Sequence, residues 1–409
     1  MVTRRSFAAA WVAGALILTT AGCGGDEAGG GGSDTPIKIG VVVPTSGTYA
    51  SEGQEVRRGY EMGLAALGGQ VAGRKVQLVF GDAFAPEDAI NEVDRLATRE
   101  RVDLFVGTYA TPASQAGSEA AARHQKAWIE THAITDSLTT RGLENYIRVG
   151  PRAVDFAQSS AKFVVEGLAP KLGGKPSVFV EHEDGPYGTS VAETQLKALQ
   201  TAGLSATEGK HKTSATDVTD SVLAAKRANP DIWLITGYAP DGGLLLRTAA
   251  AQGFKPKATV LVGAGDTKAV YEAVGAKDLA NTFVVAYTSP IVNPAWAPGN
   301  EKFYSSYKST YGSDPLGTVA NTGNTGMTSA LKILEAAKGA TDPASLAKAA
   351  ATVDVPDGGL PNGWGLKLDE NRQNTRIRLL AVQWREDGTV PAIWPAEAAL
   401  SGQAMAGLS

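Results

Sequence analysis

The chain has 409 residues, 20% of them charged and 43% hydrophobic, with a formal net charge of −4. That balance supplies enough apolar surface for two cores and excludes a mainly disordered chain. The absence of a basic surplus argues against nucleic-acid binding, and the single cysteine, Cys23, rules out an internal disulfide and a cysteine-built zinc site.

The N-terminal segment comes first. Arg4 and Arg5, an apolar run from Phe7 to Leu18, and small residues up to Gly22 have the order of a secretory signal peptide over 1–22. The apolar run is too short for a permanent bilayer span. Thr3-Arg4-Arg5-Ser6-Phe7 resembles a twin-arginine export signal, which leaves both export routes open. Thr20-Ala21-Gly22-Cys23 resembles a bacterial lipobox, with Thr20 replacing the usual Leu. The resemblance implies lipidation of Cys23; the alternative is a free buried cysteine. Residues 23–35 are glycine-rich and have no apolar side chain for a core, so they read as a tether.

From Pro36 the pattern alternates strand and helix. Ile37–Val43, Lys75–Phe80, Val102–Val106 and Ala127–Thr131 are apolar strands, separated by helical patterns over 51–68, 86–99 and 113–125. Continuous apolar strands between helices predict a parallel sheet covered on both faces. The series restarts after Arg152. A helix from about Ala153 places Ala157, Ala161, Val164 and Leu168 on one face. Strands follow at Ser177–Val180, Asp231–Thr236, Thr259–Val262 and Thr282–Tyr287, with helices over 189–201 and at Leu244–Ala251. Helical segments near 299–310, 318–337 and 343–351 precede a hairpin with Arg376–Gln383 as one strand and Asp387-Gly388 at its turn. The fold class is α/β: two Rossmann-like lobes with parallel sheets, facing one cleft across a hinge.

Catalytic motifs fail on inspection. Gly263-Ala264-Gly265-Asp266-Thr267-Lys268 lacks the last glycine of a dinucleotide fingerprint, and Gly173-Gly174-Lys175 lacks phosphate-loop spacing. The four histidines are scattered, and His182-Glu183-Asp184 reads as a hydrogen-bonded polar loop rather than a metal site. No cofactor or metal is expected, and the chain reads as a binding protein rather than an enzyme. The stronger signal is Gly107 to Pro112, a polar loop after a strand that opens a helix. Its free backbone N–H groups and the Thr111 hydroxyl suit a carboxylate, although Thr111 could equally serve as a helix cap.

Pro44-x-Ser46-Gly47, Ala72-Gly73-Arg74-Lys75-Val76, Val106-Gly107, Leu138-Thr139-x-Arg141-Gly142, Tyr187-Gly188 and Gly237-Tyr238, in this order and spacing, resemble the branched-chain amino acid (leucine/isoleucine/valine) receptors of bacterial ABC importers. The resemblance covers about 36–395 and implies two lobes joined by three crossings, near Gly150, Ala286 and Leu360–Leu366. Lobe 1 would then be 36–149 plus 286–360, and lobe 2 would be 150–285 plus 361–409. It further implies that the Ala110-Thr111 segment, next to the site candidate Tyr109, holds a ligand carboxylate, that the segment of His132, Ala133, Ile134 and Thr135 completes that corner, with Ile134 at the family's usual Thr position, and that Tyr187 and Tyr238 close from the second lobe. The family's second-lobe acid falls on Gly265, with Asp266 one residue on; Glu52 and Glu130 are the other candidates to meet a ligand cation, unless the ligand has no ammonium. A charge at Glu130, on an apolar strand, must be paired or face the cleft. The implied function is a lipid-anchored, monomeric receptor at the extracytoplasmic face of the cell membrane, delivering an amino acid or a related carboxylate or amide to a permease and its ATPase. A sensory receptor of the same fold and a secreted hydrolase using Glu130 and His132 are the alternatives.

Overall fold

The computed structural model describes residues 35–408. The signal segment 1–22, Cys23 and the tether up to residue 34 lie outside the described residues.

The first sheet is built from β1 (Ile37–Val43), β2 (Gln70–Val71), β3 (Arg74–Asp82), β4 (Leu104–Gly107), β5 (Trp128–Glu130) and β6 (Tyr146–Arg148), in the order β2-β3-β1-β4-β5-β6. All neighbours are parallel except the short β2–β3 pair. Helices α1 (Ala50–Ala66), α2 (Pro86–Thr98) and α3 (Thr111–Arg123) connect the strands. The strands are apolar through and through because both faces are covered: Ile39, Val41, Val42 and Val43 of β1 are all fully buried.

The second unit opens with α4 (Ala153–Lys162), which continues as a π-helical turn over Phe163–Leu168 and a 3₁₀ turn over Ala169–Leu172. Then follow β7 (Val178–Glu183), α5 (Pro186–Thr201), β8 (Ala206–His211), α6 (Thr219–Ala228), β9 (Ile232–Thr236), α7 (Ala239–Ala251), β10 (Ala258–Val262), α8 (Lys268–Val274) and β11 (Thr282–Ala286). β8 and α6 are absent from the sequence pattern. β8 reads ATEGKH and lies on the sheet edge, where one face meets solvent and no apolar run is needed.

The chain then returns to the first lobe. α9 (Asn300–Tyr311) and α10 (Val319–Ala336) pack there, the latter along α1. Gly59, Gly63 and Gly323 let the α1 and α10 backbones touch: a Cβ on Gly59 would lie 2.1 Å from the Ala320 carbonyl oxygen. After α11 (Pro343–Ala350) come the two-residue strands β12 (Asp354–Val355) and β13 (Leu366–Lys367). Finally β14 (Leu380–Gln383) and β15 (Ala392–Trp394) add an antiparallel edge, giving a seven-stranded second sheet in the order β15-β14-β11-β10-β9-β7-β8.

The third crossing differs from the sequence expectation. Gln373 still bridges Arg148 at the edge of the first sheet, so the change of sheet falls between Gln373 and Leu380, not at 360–366. The reason is a side-chain network that a hydropathy pattern cannot display. The Gln373 amide donates to the Gly150 carbonyl at 2.9 Å, and Asn374 donates to the Val149 carbonyl at 3.1 Å, binding the third crossing to the first.

Candidate functional site

The carboxyl ends of both sheets meet across one gap, as parallel sheets dictate. Four loops build its walls. From lobe 1 come the β4–α3 loop, carrying Tyr109 and Thr111, and the segment after β5, carrying His132 and Ile134; from lobe 2 come Tyr187 at the start of α5 and Gly237-Tyr238 before α7. Phe156 of α4, Gly263-Ala264 after β10, Tyr287 after β11 and Val319 of α10 complete a cavity with about 420 Å³ of empty space, part of it open to solvent. The walls are largely aromatic, which suits a flat or apolar ligand body.

Glu130 explains how lobe 1 holds its two loops. It is fully buried at the end of β5. One carboxylate oxygen accepts the backbone N–H groups of Thr108 (2.6 Å), Thr131 (2.8 Å), His132 (3.0 Å) and Ala133 (3.0 Å). The other accepts the Ser114 hydroxyl and the Trp128 indole N–H (3.1 Å). Arg148, also fully buried, takes the opposite polarity of the same segment, donating to the carbonyls of Ala133 (3.2 Å) and Thr135 (2.8 Å). One acid and one base thereby fix the N–H and C=O groups of a loop that would otherwise carry unpaired backbone. Glu130 does not line the cavity, so its expected contact with ligand gives way to a positioning role.

Lobe 2 repeats the device with Glu183 at the end of β7. Its carboxylate accepts from the backbone of Gly185 (2.6 Å) and Gly188 (2.5 Å) and from the Thr213 hydroxyl, fixing the start of α5 and hence Tyr187. The Tyr187 hydroxyl donates to the Val262 carbonyl at 2.8 Å. Tyr238 sits at the centre of an aromatic cluster that spans the gap. Its ring centroid lies 5.2 Å from Tyr49 and from Tyr187, 5.5 Å from Phe84 and 5.8 Å from Tyr109.

Polar contacts bridge the lobes at the cleft. The Tyr49 and Ser214 hydroxyls are 2.7 Å apart, the Thr135 hydroxyl donates to the Pro186 carbonyl at 3.2 Å, and the Lys268 N–H donates to the Leu316 carbonyl at 2.7 Å. The lobes therefore stand in a closed arrangement.

The expected site residues divide into three groups. Tyr109, Thr111, His132, Tyr187 and Tyr238 share the cavity. Ala110, Ala133 and Thr135 stand directly behind it; Thr135 Oγ1 reaches Thr111 Oγ1 at 3.3 Å. None of the three acids offered for a ligand cation lines the cavity. Glu52 faces an adjoining recess of about 260 Å³ with Glu55, Thr267 and Val319, and accepts the Ser51 hydroxyl at 2.6 Å. Asp266 is buried beside Thr318, and burial pushes its carboxyl upward. Ile134, inside the segment expected to complete the carboxylate corner, is also a wall residue, whereas sequence reasoning missed Phe156, Gly237, Gly263, Ala264, Tyr287 and Val319. Gly237 stood inside a quoted motif, and Tyr287 ends a strand at the second crossing; the others reach the cavity only through tertiary packing.

The polar character of the cavity is that of donors. α3 and α7 both begin at its edge, with Ala110 and Tyr238 as N-cap residues that make no side-chain cap. Their first N–H groups and dipoles favour an anion. His132 Nδ1 lies 2.7 Å from the Thr131 hydroxyl, while Nε2 is buried without a hydrogen bond, close to the Val319 and Thr108 carbonyls. Burial lowers this histidine to about 4, so it stands neutral at pH 7. Among the described residues no group of side chains could hold a metal ion, and no helix is long and apolar enough to cross a membrane.

Comparison with known proteins agrees with this architecture. Residues 36–389 match the periplasmic binding protein family. The Leu/Ile/Val-binding protein homolog 7 of Brucella abortus (strain 2308) is 34% identical over 382 residues, covering 92% of this chain and 95% of that protein. A leucine-binding protein from Thermotoga maritima superposes with a TM-score of 0.75 at 21% identity, covering 87% of this chain and 97% of the other. A solute-binding protein of an ABC transporter from Rhodopseudomonas palustris HaA2, in complex with p-hydroxybenzoic acid, superposes with a TM-score of 0.78 at 20% identity, covering 90% and 99%. With two parallel-sheet lobes closing on a cavity between their strand ends, and with that agreement along nearly its whole length, the chain belongs to the periplasmic binding protein family as a relative of the Leu/Ile/Val-binding substrate-binding proteins of ABC transporters.

Proposed function

We propose that the cleft closes on a small organic carboxylate with an apolar or aromatic body, for delivery to an ABC permease and its ATPase. The observation that carries this reading is the cavity's inventory: two helix N-termini, a neutral histidine, aromatic walls, and no carboxylate among its lining residues. An α-ammonium would need a counter-charge on burial, and the cavity offers none. The names of relatives bracket the choice, since one is called a Leu/Ile/Val-binding protein homolog and a structural neighbour holds p-hydroxybenzoic acid. The ligand bridges both lobes and so favours the closed form over the open one.

The test is a thermal-shift and calorimetric series on unliganded protein with benzoate, 4-hydroxybenzoate, leucine and isoleucine. The aromatic acids should stabilise most. A stronger response to leucine would overturn the choice of ligand class, and no response to any of the four would count against the receptor reading itself. We further infer that Cys23 is the lipidation site, which holds the receptor at the outer face of the membrane. Labelling cells with a palmitate analogue should mark the protein and fail to mark Cys23→Ser.

A further inference from the structure

A second cavity lies on lobe 1 along the C-terminal half of α1 and shares no lining residue with the cleft. α10 borders both, with Val319 at the cleft and Asn324 at this groove. The groove encloses about 1460 Å³ of empty space, part of it open to solvent, between the end of α1, α9, α10 and the 358–361 segment. Met62, Phe303, Leu360 and Pro361 give it an apolar interior, and Leu67 at its edge is 43% exposed. Two polar side chains face into it. Asn324 is 5% exposed and Thr328 is 8% exposed, and neither side chain has a hydrogen-bond partner among the described residues. Their polar atoms open onto the groove, where they can meet the polar group of a ligand. Lys302 and Lys332 stand at the groove without a carboxylate in ion-pair range among the described residues. The one acid present, Glu61, is already engaged by Arg57 Nε at 3.0 Å and by the Tyr311 hydroxyl at 3.2 Å.

We propose that this groove is a second ligand site, which takes an amphipathic carboxylate of the fatty-acid type. The alkyl body lies on Met62, Phe303 and Leu360, and the carboxylate meets the lysines and the buried amide and hydroxyl. Apolar area supplies the attraction, and the two unpaired ammonium groups orient the chain. The site is independent of the ligand assigned to the cleft, because it shares no residue with that cavity.

Decanoate, below its micelle concentration, is the probe, titrated calorimetrically into the purified protein. It should bind with one site per chain. Lys302→Glu combined with Lys332→Glu should weaken it about tenfold or more, and decanol should bind at least about tenfold more weakly than decanoate. Thr328→Val, which keeps the shape, should weaken it by a smaller factor. Tyr238→Ala, in the cleft, should leave it unchanged. Circular dichroism of each variant confirms the fold. Absence of decanoate binding, equal binding of decanol, or loss of binding in Tyr238→Ala with retention in the lysine variant would each overturn the proposal. A change from monomer to dimer on substituting the lysines would overturn it in favour of a second copy as the occupant.

Discussion

The two faces of the cleft use buried acids in different ways. On lobe 1, Glu130 is surrounded by donors, with four backbone N–H groups on one oxygen and Arg148 holding the carbonyls of the same loop. On lobe 2, Glu183 does similar work for α5, but behind Tyr238 lies an incompletely satisfied group. Glu181 Oε1 accepts from His211 Nδ1 at 2.9 Å, while Glu181 Oε2, His211 Nε2 and Asp241 Oδ2 are buried without partners. A buried carboxylate with donors on both oxygens fixes geometry, whereas a buried carboxyl without them contributes free energy that depends on its protonation. Lobe 1 has unpartnered buried atoms of its own, on Arg148 and His132, but its organising carboxylate is satisfied on both oxygens; lobe 2 carries, in Asp241, a pH-dependent element behind its closing tyrosine.

The sharpest way to break this comparison is Glu130→Ala. It leaves the N–H groups of two loops unpaired and Arg148 without its acidic neighbour, and should lower stability by roughly 3–5 kcal/mol in urea denaturation. Glu130→Gln keeps the shape and half of the accepting capacity and should cost less. If both variants unfold at the wild-type midpoint, Glu130 is not the organiser of lobe 1.

Tyr238→Ala removes the ring that Tyr49, Phe84 and Tyr109 contact across the gap and Tyr187 contacts from the same lobe. Ligand affinity should fall about 10–100-fold by calorimetry, with a smaller change in thermal midpoint than for Glu130→Ala. Tyr49→Phe deletes the hydroxyl that pairs with Ser214, one of the polar bridges between lobes. The closed form should lose about 1 kcal/mol, a several-fold loss of affinity, and small-angle scattering should show a larger radius without ligand. An unchanged radius and affinity would remove Tyr49 from the closure.

The smallest expected effect distinguishes the two faces by pH. Burial, reinforced by Glu183, raises Asp241 to about 6 from an ordinary 3.8, against the opposing influence of His211. A carboxyl raised in the folded state favours folding most when protonated. Its contribution is therefore complete below about 3.8 and is lost as pH rises through about 6. Asp241→Asn should flatten the thermal midpoint between those pH values, while Tyr49→Phe should keep the wild-type slope. A slope identical in Asp241→Asn and wild type would assign the pH dependence to other groups.

Much of this architecture was legible in the sequence for a simple reason. Strands buried on both faces must be apolar, and polar residues at their carboxyl ends must then belong to loops. That rule pointed to the loop with Tyr109 and Thr111, while Tyr187 and Tyr238 came from the family resemblance. What escaped lacks such a signal. The edge strand β8 is polar because it is half solvated. Phe156 and Val319 lie on helix faces that resemble any core face until the lobes are brought together. The acids show the limit most clearly, because Glu52, Glu130 and Asp266 all looked suited to a ligand cation, and only packing reveals that each points elsewhere.

The glycine contacts between α1 and α10 have a reach beyond their own seam. Gly59 lies against the Ala320 carbonyl, Gly323 against Val56, and the next helical residue toward the cleft, Val319, forms part of the cavity wall. Farther along the same helix, the Thr325 hydroxyl accepts the Asn362 N–H at 3.2 Å, next to the segment that bounds the outer groove. α10 thus behaves as a strut seated on a set-screw. A single methyl group added at Gly59 would displace both of its ends, altering the recess for solute and the distal trough together, although it touches neither.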